Sequence, residues 1–321
     1  MFPNKKFSNK MMFDISFTLK HPFKGIVTKF DNPAFKRPAV KKLDTNTPTN
    51  NNAKYNNADT VEMTGSDPLS AYPLPEKAME ALKEAFQPAL AAFLSSNTIA
   101  ELAAGTLKIE QYRAILREMF HQVREHPQML MQAASKLRGR DREMVKAFFN
   151  HASSEVGHDQ LALNDYVTLG GDASAVPYQY PLPATSALLA FGYYQIHEAN
   201  PIGYLGYLFF LEFAPTATGT GLMQQLETIG VPRTAMTFIG DHAEIDVHHN
   251  RLMERYALQL LHTQANLEAV AHVMETTATL YGRMMDDAAA DALSPGIKRW
   301  NWTELEADGL TPESVHKRRV A

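Results

Sequence analysis

The 321-residue chain contains no cysteine. Disulfides, zinc–thiolate sites, iron–sulfur clusters and thiol nucleophiles are thereby excluded, so any metal must be held by histidine and carboxylate. Long apolar runs are missing too. His197, Glu198 and Glu212 break the longest candidate, and no stretch approaches the roughly 20 residues needed to span a bilayer. Excess charge of one sign is absent: 31 Lys and Arg stand against 35 Asp and Glu, a net charge of −4, so bulk attraction to nucleic acid is not expected. Alternating β-branched stretches bounded by hairpin turns do not occur. What is there is 45% hydrophobic and 21% charged, the balance of a globular protein with a large core.

The charge is unevenly spread. Residues 1–43 hold ten Lys or Arg against Asp14 and Asp31, about +8, which leaves about −12 for the remainder. From Asp44 to Ala58 the chain turns to Asn, Thr, Pro and Lys, a composition that cannot repay its ordering entropy. Residues 1–68 are therefore expected to form a disordered or loosely held basic arm and linker, 69–292 a helical domain, and 293–321 a tail that Trp300 and Trp302 would pin back. Asp14, Ser16 and Thr18 interrupt the apolar residues of the arm, and no small-residue cleavage site follows, so a secretory signal is not expected and a cytoplasmic location is.

Beyond residue 68 the apolar residues recur at helical spacing. The pattern predicts an all-α bundle of about seven helices: 74–94, 108–136 with a kink at Pro127, 141–169, 184–198, 201–228, 232–262 and 265–289. Gly170 and Gly171 read as a helix stop, and Pro181, Pro183, Pro201 and Pro232 punctuate the connections.

Two of these helices carry one pattern. His151, Glu155 and His158 stand in HASSEVGH, and His242, Asp246 and His249 in HAEIDVHH, each set at i, i+4 and i+7 on one helical face. The chain's composition yields this pattern about 0.05 times by chance, so two copies call for an explanation. Apolar flanks (Phe148, Phe149, Leu161 and Leu163; Phe238, Ile239, Ile245 and Leu252) argue for burial rather than a solvated face. Glu212 lies in the apolar, aromatic stretch Tyr204–Phe213 and is expected to be buried as well.

A buried carboxylate must be paired, protonated or bound to metal. No Lys or Arg occurs in 151–163, 203–222 or 236–250. With Glu118 from the preceding helix, four carboxylates (Glu118, Glu155, Glu212, Asp246) converge, and two divalent ions would neutralise them. His158, His242 and His249 complete the set. Magnesium and calcium rarely recruit three imidazoles, and a structural zinc site needs only four ligands, whereas mixed His and carboxylate ligation suits iron, with manganese as the alternative. Two ferrous ions and dioxygen are the expected chemistry.

The segments EMFHQVREHP with Glu118, HASSEVGHDQLALND with Glu155 and His158, FFLEF with Glu212 and HAEIDVHHNRL with His242, Asp246 and His249 follow one another in an order that resembles the heme-oxygenase-like diiron oxidases and oxygenases. The resemblance covers about residues 90–265. It implies the helical fold of heme oxygenase and of the thiaminase-like and pyrroloquinoline-quinone-synthase-like proteins. It also implies a dinuclear iron site, often assembled only with metal and substrate, on a flexible helix bearing HxxxDxxH. Such enzymes oxidise amino acids or fatty acids by N-oxygenation, desaturation or carbon–carbon cleavage. A small-molecule substrate, an external reductant and a homodimer are the partners this implies.

Several assignments stay open. Glu125, two turns past Glu118, is an alternative first carboxylate. His121, His126 and His151 are candidates either for ligation or for hydrogen bonds to ligands. Gly203 and Gly206 would leave room for a ligand or allow close helix packing. Tyr193, Tyr194, Tyr204 and Tyr207, or Arg113, Arg117 and Arg124, would bind a polar substrate end. A ferritin-like arrangement would need a second ExxH on its last metal helix, where HxxxDxxH stands instead. The rivals from other classes are a metal-free enzyme of the same fold, hydrolytic or cofactorless, and a non-enzymatic helical binding protein. A thiaminase-like hydrolase would lack its cysteine nucleophile.

Overall fold

The computed structural model describes residues 75–294, and within them all side chains except those of Pro75, Glu76 and residues 242–250. The basic arm, the linker, Trp300 and Trp302 lie outside the described residues. Every regular element described is helical: α1 Pro75–Leu94, α2 Asn97–Ala103, α3 Ile109–Val123, α4 His126–Lys136, α5 Val145–Glu155, α6 Asp159–Thr168, α7 Pro183–His197, α8 Tyr204–Thr228, α9 Thr237–Leu260 and α10 Gln264–Leu293. None is long and apolar enough to cross a membrane.

Helix α10 is the centre of the bundle, with α1, α3, α7 and α8 packed around it. Thr263 caps its start, accepting the Asn266 N–H at 3.1 Å. The first half of α8 is buried on all sides, with Tyr204, Tyr207, Phe209 and Phe210 at 0% exposure. Such an all-round apolar helix is stable only inside the bundle, where each large side chain contributes roughly 1.5–3 kcal/mol. Gly206 brings α8 against α10: a Cβ there would lie 2.1 Å from the Val270 carbonyl oxygen. Its place is filled by backbone, so close packing, not space for a ligand, explains this glycine.

Two predicted helices are in fact pairs. The segment 108–136 does not kink at Pro127 but ends at Val123 and restarts at His126, with the proline in the first turn of α4. A proline lacks the N–H that a helix interior uses and the first turn does not. The segment 141–169 breaks after Glu155, where Val156 is extended and Gly157 takes φ +99°, a conformation that an L side chain rarely adopts. Asn97–Ala103 forms an additional short helix. At its start Asp286 of α10 accepts the N–H groups of Asn97 and Thr98 at 3.2 and 2.8 Å. The stop after Leu169 is as expected, with Gly170 at φ +80°.

Candidate metal centre

The end of α5 and the middle of α8 meet in the interior. His151, Glu155 and Glu212 are buried, and one ligand atom from each lies within 4.8 Å of the others. Nε2 of His151 stands 3.2 Å from Oε1 of Glu212 and 3.6 Å from Oε1 of Glu155. The break at Gly157 turns the chain so that Nδ1 of His158 comes within 3.1 Å of the other Glu155 oxygen. Glu155 and His158 are thus neighbours across a turn, not on one continuous helix. From behind, the Tyr256 hydroxyl lies 3.5 Å from Nδ1 of His151, and its ring packs on Phe148 at 4.4 Å.

The electrostatics bind these groups together. Desolvation disfavours the charged form of His151, but its hydrogen bonds to Glu155 and Glu212 outweigh this and raise its pKa to about 9. For Glu155, burial pushes upward, and the histidines His151 and His158 more than reverse that, holding the carboxyl well below its ordinary range. The bond to Glu155 likewise raises His158.

The other sequence candidates divide. Glu118 is fully buried, yet its carboxylate is turned to other donors: Thr185 Oγ1 at 2.6 Å, the Leu182 N–H at 2.9 Å and Arg117 Nε at 3.4 Å. Desolvation raises its pKa, with these donors opposing. It does not belong to the group formed by His151, Glu155 and Glu212. Glu125 accepts the Tyr193 hydroxyl at 2.7 Å. His121 is buried beside Arg124 and Arg117, and burial first, those cations second, lower its pKa to about 4. His126 does approach the centre, with its ring 6.1 Å from that of His151. His242, Asp246 and His249 lie on α9, and their side chains are outside the described ones. Their helical face continues to Met253 and Tyr256, both at 0% exposure.

The arginines named as substrate ligands have structural partners: Arg113 donates to the Leu169 carbonyl, Arg117 to Glu118 and Asp291, and Arg124 to the Pro177 carbonyl. Tyr207 accepts from Gln122 Nε2 at 3.0 Å, and Tyr194 is exposed. Sequence reasoning missed Tyr256 and Thr185. Tyr256 had a signal, because it stands seven residues past His249 on the same face.

A cavity of about 110 Å³ adjoins the carboxylates of Glu155 and Glu212. It runs between α3 and α8, which are antiparallel: Gln122 meets Tyr207 at one end and Ile109 approaches Gly230 at the other. Glu155, Glu212 and His126 line the first end, and Leu107, Tyr112 and Leu226 the second. From Gln122 to Tyr112 the helical rise is about 15 Å. Ile115, Met119, Phe210 and Leu222 line the length between, and no Lys or Arg is among the described lining residues.

The model of a family of iron-containing redox enzymes matches residues 113–282, more than half of the chain. The chain belongs to this family. Residues 113–282 contain the whole of α3 to α8 beyond Tyr112, with Glu155, Glu212 and the α9 motif. Among solved structures, the chain is similar to a domain of unknown function with a heme oxygenase-like fold from Shewanella denitrificans OS217. The TM-score is 0.61 at 24% identity, over 67% of this chain and 93% of that one. A TenA homologue from Pseudomonas syringae pv. tomato DC3000 superposes with a TM-score of 0.55 at 15% identity, over 73% of this chain and 100% of that one. A CADD-like protein of unknown function from Nostoc punctiforme PCC 73102 gives 0.54 at 15%, over 68% and 100%. These likenesses establish the heme-oxygenase-like fold. Among curated proteins none matches.

Proposed function

We propose that this iron-containing redox enzyme is a non-heme diiron oxidase or oxygenase that uses dioxygen on a fatty-acid-like metabolite. The observation that carries the reading is the buried group of His151, Glu155 and Glu212, two of which, Glu155 and Glu212, line one end of an apolar cavity. The donor set fits the metal: carboxylate oxygens and imidazole nitrogens suit iron, and manganese less specifically. Glu155, His158 and Glu212 would hold it, joined by His242, Asp246 and His249 of α9, with His151 and His126 beside them. Glu118 would join while Thr185, Leu182 and Arg117 hold its carboxylate in place. Iron bound there supplies one-electron chemistry with dioxygen.

The chain's own residues do the rest. Ile115, Met119, Phe210 and Leu222 exclude water from the length of an apolar chain and align it with the carboxylates. Nε2 of His151, 3.2 Å from Glu212 and 3.6 Å from Glu155, would hold a proton facing the two carboxylates. An amino-acid substrate is less well served, because it has less apolar surface to bury against this lining than an acyl chain has.

The test is anaerobic reconstitution with ferrous iron, a count of metal per chain, and oxygen uptake with saturated fatty acids and with amino acids in parallel. About two irons per chain and uptake stimulated by fatty acids are expected. No bound iron, or stimulation by amino acids alone, rejects the reading.

A further inference from the structure

Asp165 is a fully buried carboxylate that takes no part in the cluster or the cavity. It lies on α6, the helix that begins directly after His158, and stands two turns beyond that histidine. Its Oδ1 accepts the Thr237 N–H at 3.1 Å and the Thr237 hydroxyl at 2.7 Å, and its Oδ2 accepts the Phe238 N–H at 2.8 Å. Thr237 and Phe238 are the first residues of α9, where backbone N–H groups have no acceptor within the helix. The residue before them, Met236, offers no side-chain cap. A carboxylate at this end also meets the positive pole of the helix dipole.

One side chain thus joins the segment bearing Glu155 and His158 to the helix bearing His242, Asp246 and His249. We infer that Asp165 is a positioning residue for the metal centre, a cap supplied from another helix that fixes where α9 starts and hence the depth of its HxxxDxxH face. His242 lies only five residues past Thr237, about 7.5 Å along the axis, so a slip at the cap is carried directly to the first histidine of the motif. This inference rests on the function proposed above for that motif. The clamp itself is a separate matter of hydrogen bonds.

The experiment compares full-length wild type, Asp165→Asn and Thr237→Val. Amide hydrogen exchange is read by mass spectrometry without metal, and iron release to a chelator after ferrous loading. An asparagine keeps one acceptor oxygen but puts an NH2 group where the other stood, leaving the donors on that side without an acceptor. Asp165→Asn is therefore expected to exchange about five- to tenfold faster at the start of α9, with α3 and α10 unchanged and iron lost faster. Thr237→Val, which removes only the hydroxyl, should move both readouts less and in the same direction. Wild-type exchange in α9, or faster exchange with wild-type iron release, overturns the inference. Should Asp165→Asn loosen every helix alike, Thr237→Val decides: acceleration confined to α9 supports the clamp and none overturns it. A wild type that binds no iron strikes the proposed function, while the metal-free exchange still judges the clamp.

Discussion

His158 and Glu155 face each other across a break in the chain, with Nδ1 3.1 Å from Oε2. The break depends on Gly157 at φ +99°. Gly157→Ala is expected to cost about 1–3 kcal/mol, seen as a lower midpoint in denaturant, and to weaken iron binding by moving His158. A variant as stable and as rich in iron as wild type would show that this turn does not set the site.

Glu212→Gln and Glu155→Gln remove one ligand charge each without changing shape. Both are expected to bind less than half the iron of wild type under the same loading, with helical circular dichroism retained. Glu80→Gln, at an exposed position of α1, should load fully. Equal iron in all three would dismiss the two glutamates as ligands.

The metal-free protein should lose stability in alkali. His151 has its pKa raised from 6.5 to about 9 in the folded state, so its contribution is fully present below pH 6.5 and disappears as pH rises through about 9. The linked free energy has an upper bound of about 3 kcal/mol. Urea melts at pH 6 and pH 9.5 measure it, and His151→Gln should flatten the difference. An unchanged slope in that variant would assign the effect elsewhere.

Ile115 lines the middle of the cavity. Ile115→Phe should therefore lower kcat/KM for long acyl substrates more than for short ones. Overpacking is expected to cost about 1–3 kcal/mol of stability. An equal loss at every chain length would mean that the substrate does not lie along α3.

Much of the site was readable from local pattern, and what escaped shares one cause. The burial of Glu212 followed from the apolar stretch around it, and the nearness of Glu155 to His158 from their spacing. What the pattern did not carry is remote partners: the hydrogen-bond donors of Glu118, Leu182 and Thr185, lie 64 and 67 residues away. Asp165, bonded to residues 72 and 73 positions on, carried no local signal at all. Gly157 was legible only as a glycine, since one inside a helical pattern is ordinarily tolerated.

By itself, the sequence determined that the chain is helical, that its metal chemistry excludes thiolates, and that Glu155, His158 and Glu212 stand within apolar segments. Periodicity and side-chain chemistry are local properties, so they survive in one dimension. Only the tertiary structure decided that His151 stands between Glu155 and Glu212, that Glu118 turns to Thr185, and that the space beside Gly206 belongs to α10. Those outcomes depend on which donor, acceptor or backbone arrives from a distant segment, and close packing admits one arrival at each place.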